Sequence, residues 1–193
     1  MNSRTLNKRR LALVSALKDP NEKVRLAAAH SLESIEGMGS LEEILNLLKK
    51  GNNAVKVKAI YALGKIGGEK VVPPLLYCIS RPEEDIKSAA IDALGELSNP
   101  STLKALVNKL KDPNSGIKAK AISALSRFRD PSLISVLLPF LEANDGLLDA
   151  EAARTLGMLG NIQLEDRLIA LLSSPHITTR EAAAFALGHL SAD

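Results

Sequence analysis

Apolar and polar positions alternate along this chain in a pattern that returns every 31 residues. From Val24, steps of 31 reach Val55, Ile86, Ile117, Leu148 and Thr179. Four residues later stand Ala28, Ala59, Ala90, Ala121, Ala152 and Ala183, alanine without exception. Four further on come Leu32, Leu63, Leu94, Leu125, Leu156 and Leu187, leucine without exception. Ile35, Ile66, Leu97, Phe128, Leu159 and Leu190 close the series. At about 100° per residue these four columns fall within about 80° of arc, a single stripe on an α-helix. An invariant alanine in such a stripe lets two helix backbones approach closely.

A second stripe precedes the first. Leu13, Ile44, Leu75, Leu106, Leu137 and Leu168 form one of its columns. Leu17, Leu48, Ile79, Leu110, Leu141 and Leu172 form the other, four residues on. Each repeat is therefore a pair of helices. Between the two helices lie Asp19-Pro20-Asn21, Gly51-Asn52-Asn53, Arg81-Pro82-Glu83, Asp112-Pro113-Asn114, Asn144-Asp145-Gly146 and Pro175-His176. Proline fixes φ at such turns, and Asp or Asn can accept from the free amides of the next helix. Second helices end at glycine in Gly64-Lys65-Ile66-Gly67 and Gly157-Met158-Leu159-Gly160. Gly37-Met38-Gly39 and Gly67-Gly68 fall between repeats and read as turns. Six copies follow, at 7–37, 38–68, 69–99, 100–130, 131–161 and 162–192, which leaves 1–193 as a single domain. A helix pair this small cannot bury its apolar faces alone, so the repeats must stack on one another.

The pattern L-x3-L-x-D-P-N-x3-V-R-x2-A-A-x3-L, running from Leu13 to Leu32, resembles the HEAT-like repeat, in the short form known from phycobilisome lyases. The resemblance implies an all-α fold, a right-handed α-solenoid of six HEAT-like helix pairs whose second helices line a concave side. It also implies an interaction scaffold rather than an enzyme, although fold alone says little about function. Such repeats carry an Asp and an Arg that form a ladder along the stack. Asp19 and Arg25 match it, Asp112 with Lys118 matches it more weakly, and Asp149 breaks it. The same resemblance supplies the rival reading, a phycobilin lyase-like subunit or a component of a chromophore-modifying complex.

Composition limits the chemistry. The chain is 46% hydrophobic with no Trp, so Leu, Ile, Val and Ala must build the core. The single cysteine, Cys78, rules out an internal disulfide and suits a reducing compartment. It stands in a first-helix packing column. The basic start MNSRTLNKRR meets only a short apolar run, a poor signal peptide. No stretch approaches the ~18 apolar residues of a membrane span. A cytoplasmic protein is expected. His30, His176 and His189 are too far apart for metal-ligand spacing, and no His-Glu pair of the kind used by HEAT-like diiron hydroxylases occurs. No phosphate loop is present. We expect no catalytic residues, no metal and no cofactor.

Net charge is uneven: +5 over residues 1–62, +3 over 63–131 and −5 over 132–193. Phosphate contacts by the basic stretch Arg4 to Lys58 rank below solvated lysines, and nucleic acid is not the expected partner. A protein or peptide is. The variable columns opposite the core stripe mark where it would lie, and by the resemblance they face the concave side. They carry Lys58, Tyr61 and Lys65 in the second repeat, then Asp92 and Glu96 in the third. Lys120 and Arg127 follow in the fourth, Arg154 and Met158 in the fifth, and Phe185 and His189 in the sixth. Tyr, Arg, Met and Phe are the types that anchor interfaces. The competing reading has Tyr61 and Phe185 pack only between neighbouring second helices. Apolar residues close to the end, with no polar capping helix after them, suggest end-to-end self-association or membership of a longer array.

Overall fold

A computed structural model describes the backbone of residues 3–160 and 162–190. The described residues are all-α, and they divide into two compact units, Met1–Ile66 and Gly67–Asp193.

The first unit contains α1 (Ser3–Ala16), α2 (Glu22–Lys50) and α3 (Asn53–Ile66). The Asn21 side chain accepts from the Lys23 amide at 2.9 Å, and Asn52 accepts from the Val55 amide at 3.0 Å. Both asparagines thus cap helix starts, as their column predicts. Ala28, Leu32, Ala59, Ile60 and Leu63 are buried. One expectation fails here: Gly37-Met38-Gly39 is not a turn, because α2 runs through it as one 29-residue helix. The reason lies one residue earlier. The column Gly67, Ser98, Arg129 and Gly160 takes the left-handed conformation, with φ of 70°, 47°, 48° and 72°. In the first repeat that column holds Glu36, a good helix former. With no proline to stop it, the helix continues at a cost of about 1 kcal/mol per glycine. The side chains of His30 and Ile35 lie outside the described ones.

The second unit alternates short first helices with longer second ones. The first helices are α4 (Val72–Cys78), α6 (Leu103–Lys109), α8 (Leu133–Leu137) and α10 (Glu165–Leu171). The second helices are α5 (Glu84–Leu97), α7 (Ser115–Leu125), α9 (Leu148–Leu159) and α11 (Ile177–Leu187). The periodic columns form its core. Leu75, Leu106, Leu137 and Leu168 are fully buried, as are Ala90, Ala121, Ala152 and Ala183, and Leu94, Leu125 and Leu156. Cys78 is buried among them, as its column predicts. Successive second helices pack side by side, α5 on α7, α7 on α9 and α9 on α11. Their tightest contacts fall on glycine. A Cβ on Gly157 would lie 2.5 Å from the Ala186 Cα, and one on Gly95 would lie 2.8 Å from the Ala124 Cβ. Gly157 therefore sits inside α9 as a packing residue, while Gly160 makes the stop.

The charged ladder differs from the expected one. Asp112 pairs with Lys87 of the preceding repeat, not with Lys118: Nζ to Oδ2 is 2.8 Å, and the side chains are only 13% and 6% exposed. The Asp112 Oδ1 also accepts from the Asn114 amide at 3.1 Å. Burial, the largest single influence, pushes the Asp112 carboxyl upward. The Lys87 hydrogen bond, the Asn114 amide and the charges of Lys87 and Lys109 outweigh it and hold the group below the usual carboxylate range. Arg25 does not pair with the Asp19 carboxylate; it donates to the carbonyls of Asp19 (2.8 Å) and Pro20 (3.0 Å). Arg180, five periods later, repeats this on Ser174 (2.8 Å) and Pro175 (3.1 Å). Both guanidiniums fasten their own interhelical turn. Asp149, in the same column, is buried, and its Oδ2 has no hydrogen-bond partner among the described residues.

Candidate functional site

Within each unit the second helices present their variable columns on an exposed strip. In the first unit Lys58, Tyr61 and Lys65 are exposed on α3. The strip is narrower than the helical wheel suggests, since Ala89 and Ala182 at its edge are buried.

In the second unit the strip's charges are cross-linked rather than free. Lys120 on α7 pairs with Asp92 on α5 at 2.9 Å. Arg127, in the 3₁₀ turn Ser126–Phe128, pairs with Glu96 on α5 at 2.7 Å. The expected acidic third repeat and basic fourth repeat thus neutralise one another. All four side chains are substantially exposed, so each pair contributes about 0–1 kcal/mol. Arg154 on α9 is bonded to Glu151 at 3.3 Å and lies 4.0 Å from Glu181 on α11.

Towards the sixth repeat the strip becomes apolar. Met158 is 49% exposed and Phe185 39%. The Phe185 ring stacks on His189, with centroids 4.0 Å apart and planes 29° from parallel. The His189 Nδ1 lies 2.8 Å from the Phe185 carbonyl, which can only accept, so Nδ1 carries the proton. Phe185 is therefore neither solvated alone nor lost between helices: one face rests on His189 and its side chain remains accessible.

Arg127, Met158 and His189 come together around an open cleft of about 740 Å³. Arg129 and Leu159 line it with them, together with Ser123 and Ser126. Periodicity did not single out Arg129, because its column reads as a helix stop. The signal available was the anomaly itself, an arginine in line with Gly67 and Gly160. The other predicted residues, Lys58, Tyr61, Lys65, Asp92, Glu96, Lys120, Arg154 and Phe185, do not line this cleft. Among the described residues no three His, Cys, Asp or Glu side chains gather as a metal site would need, and no helix is long and apolar enough to cross a membrane.

A family described as HEAT repeats matches residues 11–85 and again 72–148. No curated protein is similar enough to count as a relative. Among solved structures, the complex of CpcE and CpcF of phycocyanin lyase from Nostoc sp. is similar, with 20% identity and a TM-score of 0.63. That match covers 77% of this chain and 98% of the other. An engineered protein is similar over 98% of this chain and 96% of its own, with 21% identity and a TM-score of 0.53. At these identities the likeness is one of fold.

Proposed function

The chain belongs to the HEAT-repeat family, and from that premise we propose that it is a non-catalytic scaffold that grips a protein or peptide segment along the concave face of its second helices. The observation that carries this reading is the accessible apolar strip. Met158 and Phe185 stay exposed on second helices whose Ala152, Leu156, Ala183 and Ala186 close completely into the core. Aromatic side chains bring a large contact area at a small entropy cost, and Met adapts its shape to a partner, so both types serve at interfaces. Tyr61, 45% exposed on α3, belongs to the same set. The proposal includes a cytoplasmic setting and a single domain of six repeats with the boundaries given above. It also includes end-to-end self-association, which Ile177 and Leu172, 73% and 41% exposed in the last repeat, would serve.

The test is capture of a binding protein by the intact chain, repeated with Tyr61→Ala and Phe185→Ala. Each substitution is expected to weaken retention about tenfold or more, the range of an anchoring aromatic. Circular dichroism should show the fold intact, since both side chains are half exposed. Retention unchanged by both would remove this reading.

A second reading has one observation in its favour, the similarity in fold to nearly the whole of a phycocyanin lyase subunit chain. On that reading the protein is a lyase-like subunit that handles a tetrapyrrole. Titration with free bilin decides: a spectral shift on uptake supports it, and an unchanged spectrum counts against it.

A further inference from the structure

We propose that the cleft between Arg127, Arg129, Met158 and His189 receives an acidic segment of the partner, a carboxylate set beside an apolar side chain, with Glu96 as its built-in stand-in. The inference rests on the scaffold reading and names the chemistry of what is bound.

Three observations carry it. The lining of the cleft is cationic. The lining supplies the guanidiniums of Arg127 and Arg129 and no carboxylate, and the two repeats that complete it, within residues 132–193, have a net charge of −5. An anionic segment therefore finds two guanidiniums in one concavity, which gives register as well as attraction.

The second observation is Arg129. It occupies the left-handed position that Ser98 fills in the repeat before, Gly160 in the repeat after and Gly67 in the second repeat, with φ of 48°. A side chain is disfavoured there. The fold gains nothing visible in return, since the guanidinium has no hydrogen bond or ion pair among the described residues. The helix stop uses only the backbone of this residue, so its side chain is available to a ligand.

The third is the Arg127–Glu96 pair. Glu96 accepts from the guanidinium at 2.7 Å and 3.1 Å, which shows the geometry a partner's carboxylate would adopt. Both side chains are at least half exposed, 50% and 60%, so water holds the pair loosely and an incoming carboxylate replaces Glu96 at little cost. Met158 and the Phe185–His189 stack then offer the apolar side chain its seat.

The experiment uses the full chain and three fluorescein-labelled amphipathic peptides. They share one Leu/Phe face, and their polar faces are Asp/Glu, Lys or Gln. Fluorescence anisotropy should show binding of the Asp/Glu peptide, at least tenfold tighter than the other two. Arg129→Gly should weaken it about tenfold while raising the melting temperature, so that unfolding cannot explain the loss. Glu96→Gln should strengthen binding several-fold by freeing Arg127. Asp92→Asn, which changes net charge equally but faces Lys120 away from the cleft lining, should do so less. Binding of the Lys or Gln peptide as tightly as the acidic one overturns the proposal. So does binding by none of the three, an unchanged affinity in Arg129→Gly, or equal gains from Glu96→Gln and Asp92→Asn. A captured partner that depends on Phe185 but not on Arg127 or Arg129 overturns the acidic cleft while leaving the scaffold in place.

Discussion

At the scale of single residues, two positions of the 31-residue period are under opposite constraints. Position 129 wants a glycine and has an arginine. A left-handed L-residue costs about 1–2 kcal/mol, so Arg129→Gly should stabilise the chain by about 1 kcal/mol in urea unfolding. Position 157 has a glycine and tolerates nothing larger, because the Cβ would meet the Ala186 backbone at 2.5 Å. Gly157→Ala should destabilise by about 1–3 kcal/mol, the range for overpacking, measured in the same way. The Lys87–Asp112 pair sets a third constraint. Its carboxyl is held below the usual range, so its contribution is complete above the unfolded value, near 4, and is lost as pH falls through the folded value. Lys87→Met leaves a buried, uncompensated carboxylate and should cost about 3 kcal/mol at neutral pH. In that variant the acid-side loss of stability should shrink, since the carboxyl no longer gains from ionising. An unchanged acid limb would show that the pair does not control it.

At the scale of elements, most helix boundaries follow from capping chemistry. Asn21, Asn52, Asn114 and Asp145 stand in one column, and each accepts from amides at the start of a second helix. Glu83 and His176 break the column and make no such bond. Glu83 instead pairs with Arg81 at 2.9 Å, and the His176 Nε2 donates to the Asn144 carbonyl at 3.1 Å. The exception among boundaries is α2, where two glycines suggest a turn and the chain is helical. The two alternatives predict opposite signs. In a helix interior Gly37→Ala and Gly39→Ala should each stabilise by about 1 kcal/mol and raise helicity by circular dichroism. At a left-handed turn they would destabilise.

At the scale of the whole molecule, the period supplies a core and the departures from it supply the candidate site. Tyr61, Met158, Phe185 and His189 were legible because large or polarizable side chains stand in columns that carry charged or small ones elsewhere. The neutralising pairs Asp92–Lys120 and Glu96–Arg127 were not legible. Their partners are 28 and 31 residues apart, and which charges meet depends on how one second helix lies against the next. The cleft escaped for the same reason, since it is assembled from three repeats.

The sequence by itself determined the all-α class, the helix pairs of the second unit, the buried alanine column and most of the capping residues. These depend on spacing along one helix or on the local chemistry of one turn, and both are written in adjacent residues. The tertiary structure alone decided that Lys87 reaches Asp112, that Gly157 is a contact rather than a stop, and that Arg129 faces a cleft. Those are distances between side chains on different repeats. A strict 31-residue register repeats the backbone but leaves open where long, flexible charged groups will find each other.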